Sequence, residues 1–261
     1  MTIDYRGARI LITGASAGIG AQFARELARR GSDLVLVARR TDRLEALAAE
    51  LKDVEVTVLP CDLTEPGAAE ALAKELRARG TKLTGLINNA GFGTFGPFAG
   101  EDAERLRTEI ALDISAVVDL TKTFVDELVE ARGVLINVAS MAAYTPVPRM
   151  AVYGAAKAFV LSFTEALWQE HRRSGLKVLA LSPGATRTEF FDVAGEEAAA
   201  GARMHTPELV VRTALRTLDR RNPPPSVAVG RTNRLMASLS RLASRRQAVV
   251  AMGAMTARSA L

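Results

Sequence analysis

Apolar residues in this chain form short uninterrupted runs, separated by longer stretches in which apolar positions recur at helical spacing. The runs predict seven buried strands, near residues 8–13, 33–38, 54–58, 84–88, 133–138, 176–182 and 226–229. The stretches between them predict helices. Strands that alternate with helices at this pitch indicate an α/β fold in which a parallel sheet is covered on both faces.

A glycine-rich segment, TGASAGIG at 13–20, joins the first predicted strand to the first predicted helix. Gly14, Gly18 and Gly20 permit a tight turn there and let backbone N–H groups at the positive end of the helix approach a pyrophosphate. A strand, a helix and a second strand follow in the order that such a cradle requires. We therefore predict a dinucleotide site, with Ser16 and Ile19 among its contacts.

The second predicted strand ends in two arginines, Arg39 and Arg40. A site that prefers NAD offers an acidic residue to the ribose hydroxyls at this place, whereas arginine suits the 2′-phosphate of NADP. The pair therefore predicts NADP(H) as the cofactor. The alternative is that Arg39 is an ordinary solvated charge at a strand end.

The segment YGAAK places Tyr153 and Lys157 four residues apart, on one face of a predicted helix. A nearby ammonium favours the phenolate and lowers a tyrosine pKa from its ordinary value near ~10, so Tyr153 is predicted to act as a general acid and base. Ser140 ends a predicted strand and would hydrogen-bond the substrate oxygen. Tyr144 is the competing tyrosine, but Pro148 follows it four residues later and supplies no ammonium, so Tyr144 is expected to line the pocket.

With these motifs the chain resembles the short-chain dehydrogenase/reductase family over nearly all of positions 5–230. The family's GxxxGxG matches TGASAGIG, its NNAG lies at 88–91, its PG-x-x-x-T is PGATRT at 183–188, and Ser140, Tyr153 and Lys157 match its Ser/Tyr/Lys set. The resemblance implies a single Rossmann-type, doubly wound sheet of seven strands in the order 3-2-1-4-5-6-7. It also implies a homodimer or homotetramer, formed through the helices that carry Asp113 and Tyr153.

The same resemblance implies further cofactor contacts along the chain. Asp62 would bind the adenine, and Asn89 and Gly91 would flank the adenosine. Pro183 and Gly184 would lie at the cofactor. Thr188 would hold the nicotinamide carboxamide, and Lys157 the nicotinamide ribose.

One position departs from the family pattern. Many members have an asparagine in the fourth helix that anchors a water in a proton relay, and the matching residue here is Asp113. An ionised carboxylate accepts hydrogen bonds and donates none. The departure puts the relay in doubt, though not the hydride chemistry.

Substrate specificity is predicted to come from the irregular, alanine-rich segment after Thr188. A loop of this length in a compact domain is usually a lid or a binding loop. Its apolar anchors, together with residues of the neighbouring loops, would enclose an apolar carbonyl compound: Phe190, Phe191 and Val193, with Phe92, Phe95, Met141 and Tyr144. The alternative is that these side chains only pack against the body of the protein.

Charge divides the chain into a nearly neutral body and a basic end. Of 34 basic and 29 acidic residues, residues 231–261 hold six arginines and no acid. We therefore expect a catalytic domain over 1–230 and a basic, helical extension over 231–261, called the tail below. A basic tail beside a balanced fold, without zinc spacing or RNA-binding aromatics, does not indicate a nucleic-acid partner.

The remaining features point to a cytoplasmic protein without a metal site. The start of the chain has no basic-then-apolar signal pattern, and a single cysteine excludes an internal disulfide framework. Cys61, His171 and His205 lack ligand spacing, so we expect structural roles for them.

In the tail, apolar residues recur at helical spacing between arginines, at Leu235, Met236, Leu239 and Leu242. This pattern fits a helix that packs on the protein or its oligomer, or one that lies on an anionic membrane surface. The narrow stripe and its lack of tryptophan favour packing on protein over peripheral membrane contact.

These observations predict an NADP(H)-dependent oxidoreductase that interconverts a carbonyl and an alcohol on a predominantly apolar small molecule. The alternative is a non-catalytic regulatory or scaffold protein that binds NADP(H) on the same fold, because a fold alone does not determine function.

Overall fold

The computed structural model describes residues 3–199, 201–240 and 242–258. Seven parallel strands form one sheet in the order β3-β2-β1-β4-β5-β6-β7. They are β1 (Arg9–Thr13), β2 (Asp33–Ala38), β3 (Val56–Pro60), β4 (Gly85–Asn88), β5 (Val134–Val138), β6 (Lys177–Ser182) and β7 (Ser226–Ala228). The predicted fold class and strand order are confirmed.

Helices cover both faces of this sheet and continue beyond its last strand. Within the described residues they are α1 (Gly18–Arg29), α2 (Thr41–Glu50), α3 (Ala68–Ala78), α4 (Ala103–Ile110), α5 (Ala116–Glu130), α6 (Ala151–Glu170), α7 (Phe190–Ala194), α8 (Pro207–Leu218), α9 (Arg231–Leu239) and α10 (Arg245–Arg258). Within the same residues, no helix combines the length and apolar character that crossing a bilayer requires.

Alternate residues of each strand enter different cores, because successive side chains in a strand point to opposite faces of the sheet. In β1, Ile10 and Ile12 pack with Phe23 of α1 on one face. Leu11, between them, packs with Phe124 of α5 on the other face. Because both faces of the strands are buried, the strands appear in the sequence as continuous apolar runs.

The third strand lies two residues later than predicted. Its entry is polar: the Glu55 N–H donates to Asp33 Oδ1 at 2.9 Å, and the Glu55 carbonyl accepts from Leu34. Register pairing of β3 with β2 therefore begins at Val56, opposite Leu34.

Two segments have a different secondary structure from the one that the sequence predicts. The segment after Thr188, expected to be irregular, contains α7 and a short 3₁₀ turn over Glu196–Ala199. Between α4 and α5 the backbone is π-helical over Ala111–Ser115, so Asp113 lies in a widened turn rather than in an ordinary α-helix.

The tail is two helices rather than one. α9 ends at Leu239, so Leu242 lies beyond the helix whose stripe it was expected to join. α10 then begins at Arg245, directly after Ser244. Ser244 Oγ accepts from the Gln247 N–H at 3.3 Å, and Gln247 Oε1 accepts from the Ser244 N–H at 3.0 Å. This reciprocal cap restarts the helix after the break.

Candidate active site

A cleft of about 1760 Å³ opens beyond the carboxyl ends of the central strands. In open α/β sheets this is the edge at which ligands bind. A pocket for one small ligand typically measures about 300–1,000 Å³, so this cleft has room for a dinucleotide and a substrate together.

The glycine segment forms one wall of the cleft. α1 begins at Gly18, and Ala17 before it offers no side-chain cap, so the backbone N–H groups of the first turn remain available to a ligand. Gly18 has φ +55°, and a Cβ there would lie 2.8 Å from Thr188 Cγ2. The Asn89 side chain donates to the Thr13 carbonyl at 2.9 Å and so holds the loop in place. This wall fits a pyrophosphate.

Both predicted arginines lie at the far end of the same wall. Arg39 is exposed and pairs with Asp62 at 3.7 Å. Arg40 donates to Ser16 Oγ at 3.0 Å and pairs with Glu189 at 2.7 Å. The hydrogen bond and charge of Arg40 are the largest influences that lower the pKa of Glu189. Glu189, the first residue after Thr188, is thus bound to Arg40, one of the two arginines predicted to bind the cofactor.

Two features of the cleft wall near Arg39 and Arg40 were not predicted from the sequence. Arg43, on the first turn of α2, is a third arginine here and pairs with Glu189 at 2.9 Å. Asp62 is already engaged, because its Oδ1 accepts from the Thr64 N–H and hydroxyl at 3.0 and 2.7 Å. Burial alone would raise the pKa of Asp62, but these bonds and Arg39 outweigh it and lower the pKa.

At the centre of the cleft, the structure brings Ser140, Tyr153 and Lys157 together. Ser140 Oγ accepts from the Ala142 N–H at 3.1 Å. The Ser140 hydroxyl is close enough to Tyr153 to lower the pKa of that tyrosine. Lys157 Nζ lies 5.5 Å from the centre of the Tyr153 ring and 3.4 Å from the Val138 carbonyl. Tyr144 lines the cleft and donates to Ser182 at 3.4 Å.

Asp113 is fully buried and forms an ion pair with Lys157, with Oδ2 and Nζ 3.0 Å apart. Its other oxygen accepts from the Phe92 N–H at 3.1 Å. Gly91 makes room for the pair, since a Cβ there would lie 2.7 Å from Asp113 Oδ1 and 3.0 Å from Lys157 Nζ. Asp113 therefore directly contacts Lys157, the lysine predicted to take part in catalysis.

The electrostatics of this group differ from the prediction for Tyr153. Burial raises the pKa of Tyr153, while the Lys157 charge and the Ser140 hydrogen bond lower it without cancelling the effect of burial. The charge of Asp113 raises the pKa of Tyr153 further. Burial alone would lower the pKa of Lys157, but Asp113 and Tyr153 outweigh it and the pKa rises. Burial also raises the pKa of Asp113, although the Lys157 charge lowers it in part.

Glu109, which the sequence reading missed, is a second acid in this cluster. Its side chain is fully buried on α4, and neither of its carboxyl oxygens has a hydrogen-bond partner among the described residues. Burial raises the pKa of Glu109 to about 7, with Asp113 adding to the rise and Thr94 opposing it. The signal in the sequence was its position four residues before Asp113, which places two acids on one helical face.

The other half of the cleft is lined mostly by apolar side chains, largely from α7 and the tail helices, and Arg105, Arg203 and Arg212 also contribute to the lining. The Phe190 ring packs against the Tyr153 ring, with centroids 5.3 Å apart. From the tail, Met236 and Leu239 of α9 and Met252 of α10 line the wall. The contribution of the tail to the cleft wall was not predicted from the sequence.

The remaining predicted site residues either line the cleft or lie outside it. Those that line the cleft, apart from the residues already placed, are Gly14, Ile19, Gly91, Phe92, Met141, Pro183, Gly184, Phe191 and Val193. Gly20 lies inside the turn, where a Cβ would approach the Gly14 carbonyl oxygen to 2.3 Å. Phe95 lies outside the described lining and packs under the Arg149 guanidinium, 5.2 Å from its ring centre. The position of Phe95 therefore differs from the expectation that it lines the pocket.

Comparison with known proteins agrees with a nicotinamide-dependent oxidoreductase site of this kind. The short chain dehydrogenase family model matches residues 8–199. Sulfoacetaldehyde reductase 2 of Chromohalobacter salexigens is 35% identical over 200 residues, which cover 74% of this chain and 79% of that protein. The chain belongs to the short-chain dehydrogenase family and is an oxidoreductase of the alcohol and carbonyl type.

Two solved structures are similar over nearly the whole chain. A short-chain dehydrogenase from Sphingobium yanoikuyae in complex with NADPH is 36% identical, with a TM-score of 0.77 over 90% of this chain and 94% of that one. A 7β-hydroxysteroid dehydrogenase is 26% identical, with a TM-score of 0.83 over 97% of this chain and 99% of that one.

Proposed function

We propose that this protein interconverts a carbonyl and an alcohol on a predominantly apolar small molecule, with NADP(H) as its cofactor. The observation that carries the proposal is the placement of Tyr153. Its hydroxyl lies beside Ser140 and Lys157 in one cleft with the open N-terminus of α1. A proton donor and a pyrophosphate cradle in one cleft are the two requirements of this reaction.

A bound NADPH would supply the hydride. In the reductive direction, the Tyr153 O–H donates its proton to the substrate oxygen while the Ser140 O–H positions that oxygen. The Lys157 ammonium stabilises the phenolate that remains, and Asp113 holds the ammonium in place at 3.0 Å. For alcohol oxidation, the phenolate of Tyr153 accepts the proton instead.

The preference for NADP(H) over NAD(H) rests on Arg40, with Arg39 and Arg43 beside it. Arg40 bridges Ser16 of the cradle and Glu189, so its guanidinium lies next to the wall that fits a pyrophosphate. The NADPH complex of the related Sphingobium yanoikuyae enzyme supports the same cofactor.

The substrate class rests on the apolar half of the cleft. Phe190 packs on Tyr153, and methionines from both tail helices extend the wall outward. Methionine fills irregular space and adapts to varied apolar shapes. Arg105 also reaches this wall, but it donates to the Val193 carbonyl at 3.0 Å and so is engaged with α7. The relatives named above act on compounds as different as sulfoacetaldehyde and a steroid, so the wall itself is the better guide.

The oligomer expected through α4, α5 and α6 remains part of the proposal. Ile110 on α4 and Phe159 on α6 are exposed apolar side chains on the helices that carry Glu109 and Tyr153. Burial of such residues against a second copy would be favourable. Cytoplasmic residence and the division into a catalytic domain over 1–230 and a tail over 231–261 are proposed alongside it.

A carbonyl panel with NADPH tests the proposal. We expect NADPH oxidation with apolar ketones, with kcat/KM rising as the alkyl chain lengthens, and little turnover of a short anionic aldehyde. Preference for the anionic aldehyde would contradict the apolar assignment. NADPH binding without turnover of any carbonyl would favour the non-catalytic alternative.

A further inference from the structure

The tail presents apolar side chains that the other described residues leave exposed. Three of them lie outside the cleft lining and are called the outer face below: Leu235 is exposed by 60%, Leu242 by 83% and Val250 by 65%. Most other large apolar residues of the chain are buried or half-buried. Exposed large apolar side chains that are concentrated in one segment indicate a site of interaction.

The inner faces of the same helices are already in use. Ala237 of α9 is buried, and Asn233 donates to the Val229 carbonyl at 2.8 Å. In α10, Thr256 is buried, and Met252, on the same face, lines the cleft. The tail is therefore attached to the body through one face, and the packing predicted from its sequence accounts only for that face.

Positively charged side chains lie close to the outer face. Arg231 lies four residues before Leu235, and Arg246 four before Val250, so each arginine shares a helical face with an exposed apolar side chain. Arg245 is exposed beside them. Residues 231–261 contain no acid to balance these charges.

The exposed apolar side chains and the arginines together indicate what binds to the outer face. A second copy that used the same face in a two-fold contact would bring these arginines against their own equivalents without any acid between them. Anionic lipid offers both an apolar layer for the leucines and negative charge for the arginines. We propose that the outer face of α9 and α10 docks on an anionic membrane surface, with Leu235, Leu242 and Val250 entering the apolar layer.

Docking in this way is peripheral. The uncharged run from Gln247 to Ala257 in α10 is too short to span a bilayer. Because the opposite face of the tail lines the cleft, the docked protein would hold its cleft close to the lipid. Lipid binding itself does not depend on the reaction proposed above.

The test is sedimentation of the full chain with vesicles of phosphatidylcholine alone, and with vesicles in which about a third of the lipid is phosphatidylglycerol. The variant combines Leu235→Ser, Leu242→Ser and Val250→Ser, three changes outside the cleft lining. Phe98→Ser is the matched control, because Phe98 is 66% exposed but lies outside the tail. A second variant combines Arg231→Gln, Arg245→Gln and Arg246→Gln. Circular dichroism verifies that each variant is folded.

We expect the parent and Phe98→Ser to bind anionic vesicles, and the serine variant to bind at least about tenfold more weakly. The glutamine variant should lose the preference for anionic lipid, and parent binding should weaken as salt shortens the Debye length. The proposal is overturned if the parent stays in the supernatant, or if the serine and glutamine variants both bind as the parent does. It is also overturned if vesicles do not bind and light scattering shows that the serine variant lowers the oligomeric mass, since a second copy would then cover the face.

Discussion

The two halves of the cleft are built in different ways. The cofactor half is made of strand ends and the first turn of α1, where backbone groups and short-range bonds such as Asn89 to Thr13 determine the shape. The substrate half is made of α7 and the tail helices, which approach the sheet from distant parts of the sequence. We therefore expect the cofactor half to support the chemistry, and the substrate half, which is assembled from distant segments, to determine selectivity.

Removal of the proton donor should have the largest effect. Tyr153→Phe should lower kcat by about 10²- to 10⁴-fold, the usual contribution of general acid catalysis, while the NADPH Kd stays within a few-fold. Steady-state rates and a fluorescence titration measure the two. Tyr144→Phe is the control, because Tyr144 lines the cleft and its hydroxyl donates to Ser182 rather than standing beside Lys157. Equal losses of kcat in both variants would contradict the assignment of Tyr153 as the proton donor.

The next effect concerns the far end of the cofactor half. We expect kcat/KM to favour NADPH over NADH by at least about tenfold, because a charge-assisted bond to the 2′-phosphate contributes roughly 1.5–3 kcal/mol. Arg40→Gln should remove most of that ratio. Glu189→Gln should raise it, since Glu189 competes with the phosphate for Arg40 and Arg43. A ratio unchanged in both variants would show that these arginines do not contact the cofactor.

A substitution in the substrate half should act on selectivity alone. Met252→Ser should raise KM for a long-chain ketone by about tenfold, because an apolar contact with the substrate is lost. It should leave a short ketone and the NADPH Kd unchanged. Val250→Ser, two residues away on the outer face, is the control. Equal KM changes for long and short ketones would place Met252 outside the substrate site.

The smallest effect is a shift of the pH profile. Alcohol oxidation requires the Tyr153 phenolate, so its rate rises as pH passes the pKa of that group. The Asp113 and Glu109 charges both raise the pKa of Tyr153, Asp113 more strongly. Asp113→Asn should therefore move the rising limb to lower pH, and Glu109→Gln should move it less in the same direction. A rising limb at the parent's position in Asp113→Asn would separate Asp113 from the proton transfer.

Sequence patterns predicted most of the cofactor half, because most of its determinants are local. The seven strands, the glycine turn and the four-residue spacing of Tyr153 and Lys157 all follow from short segments. The pairing of Arg40 with Glu189 joins residues 149 positions apart, and no local pattern encodes it. Glu109 was missed because it lies among charged neighbours that resemble a solvated helix face, although the fold buries it completely. The break between α9 and α10 went unrecognised because Leu242 continued an apolar spacing that the backbone does not follow.

The most direct test of the central claim follows the hydride itself. NADPH that carries deuterium on one face of nicotinamide C4 is incubated with an apolar ketone that the enzyme reduces, and the alcohol is analysed by mass spectrometry. We predict that label from one of the two C4 faces appears at the carbinol carbon, with one deuterium for each NADPH oxidised, and that Tyr153→Phe slows its appearance in proportion to kcat. Oxidation of NADPH without deuterium in the alcohol from either face would contradict direct hydride transfer in this cleft.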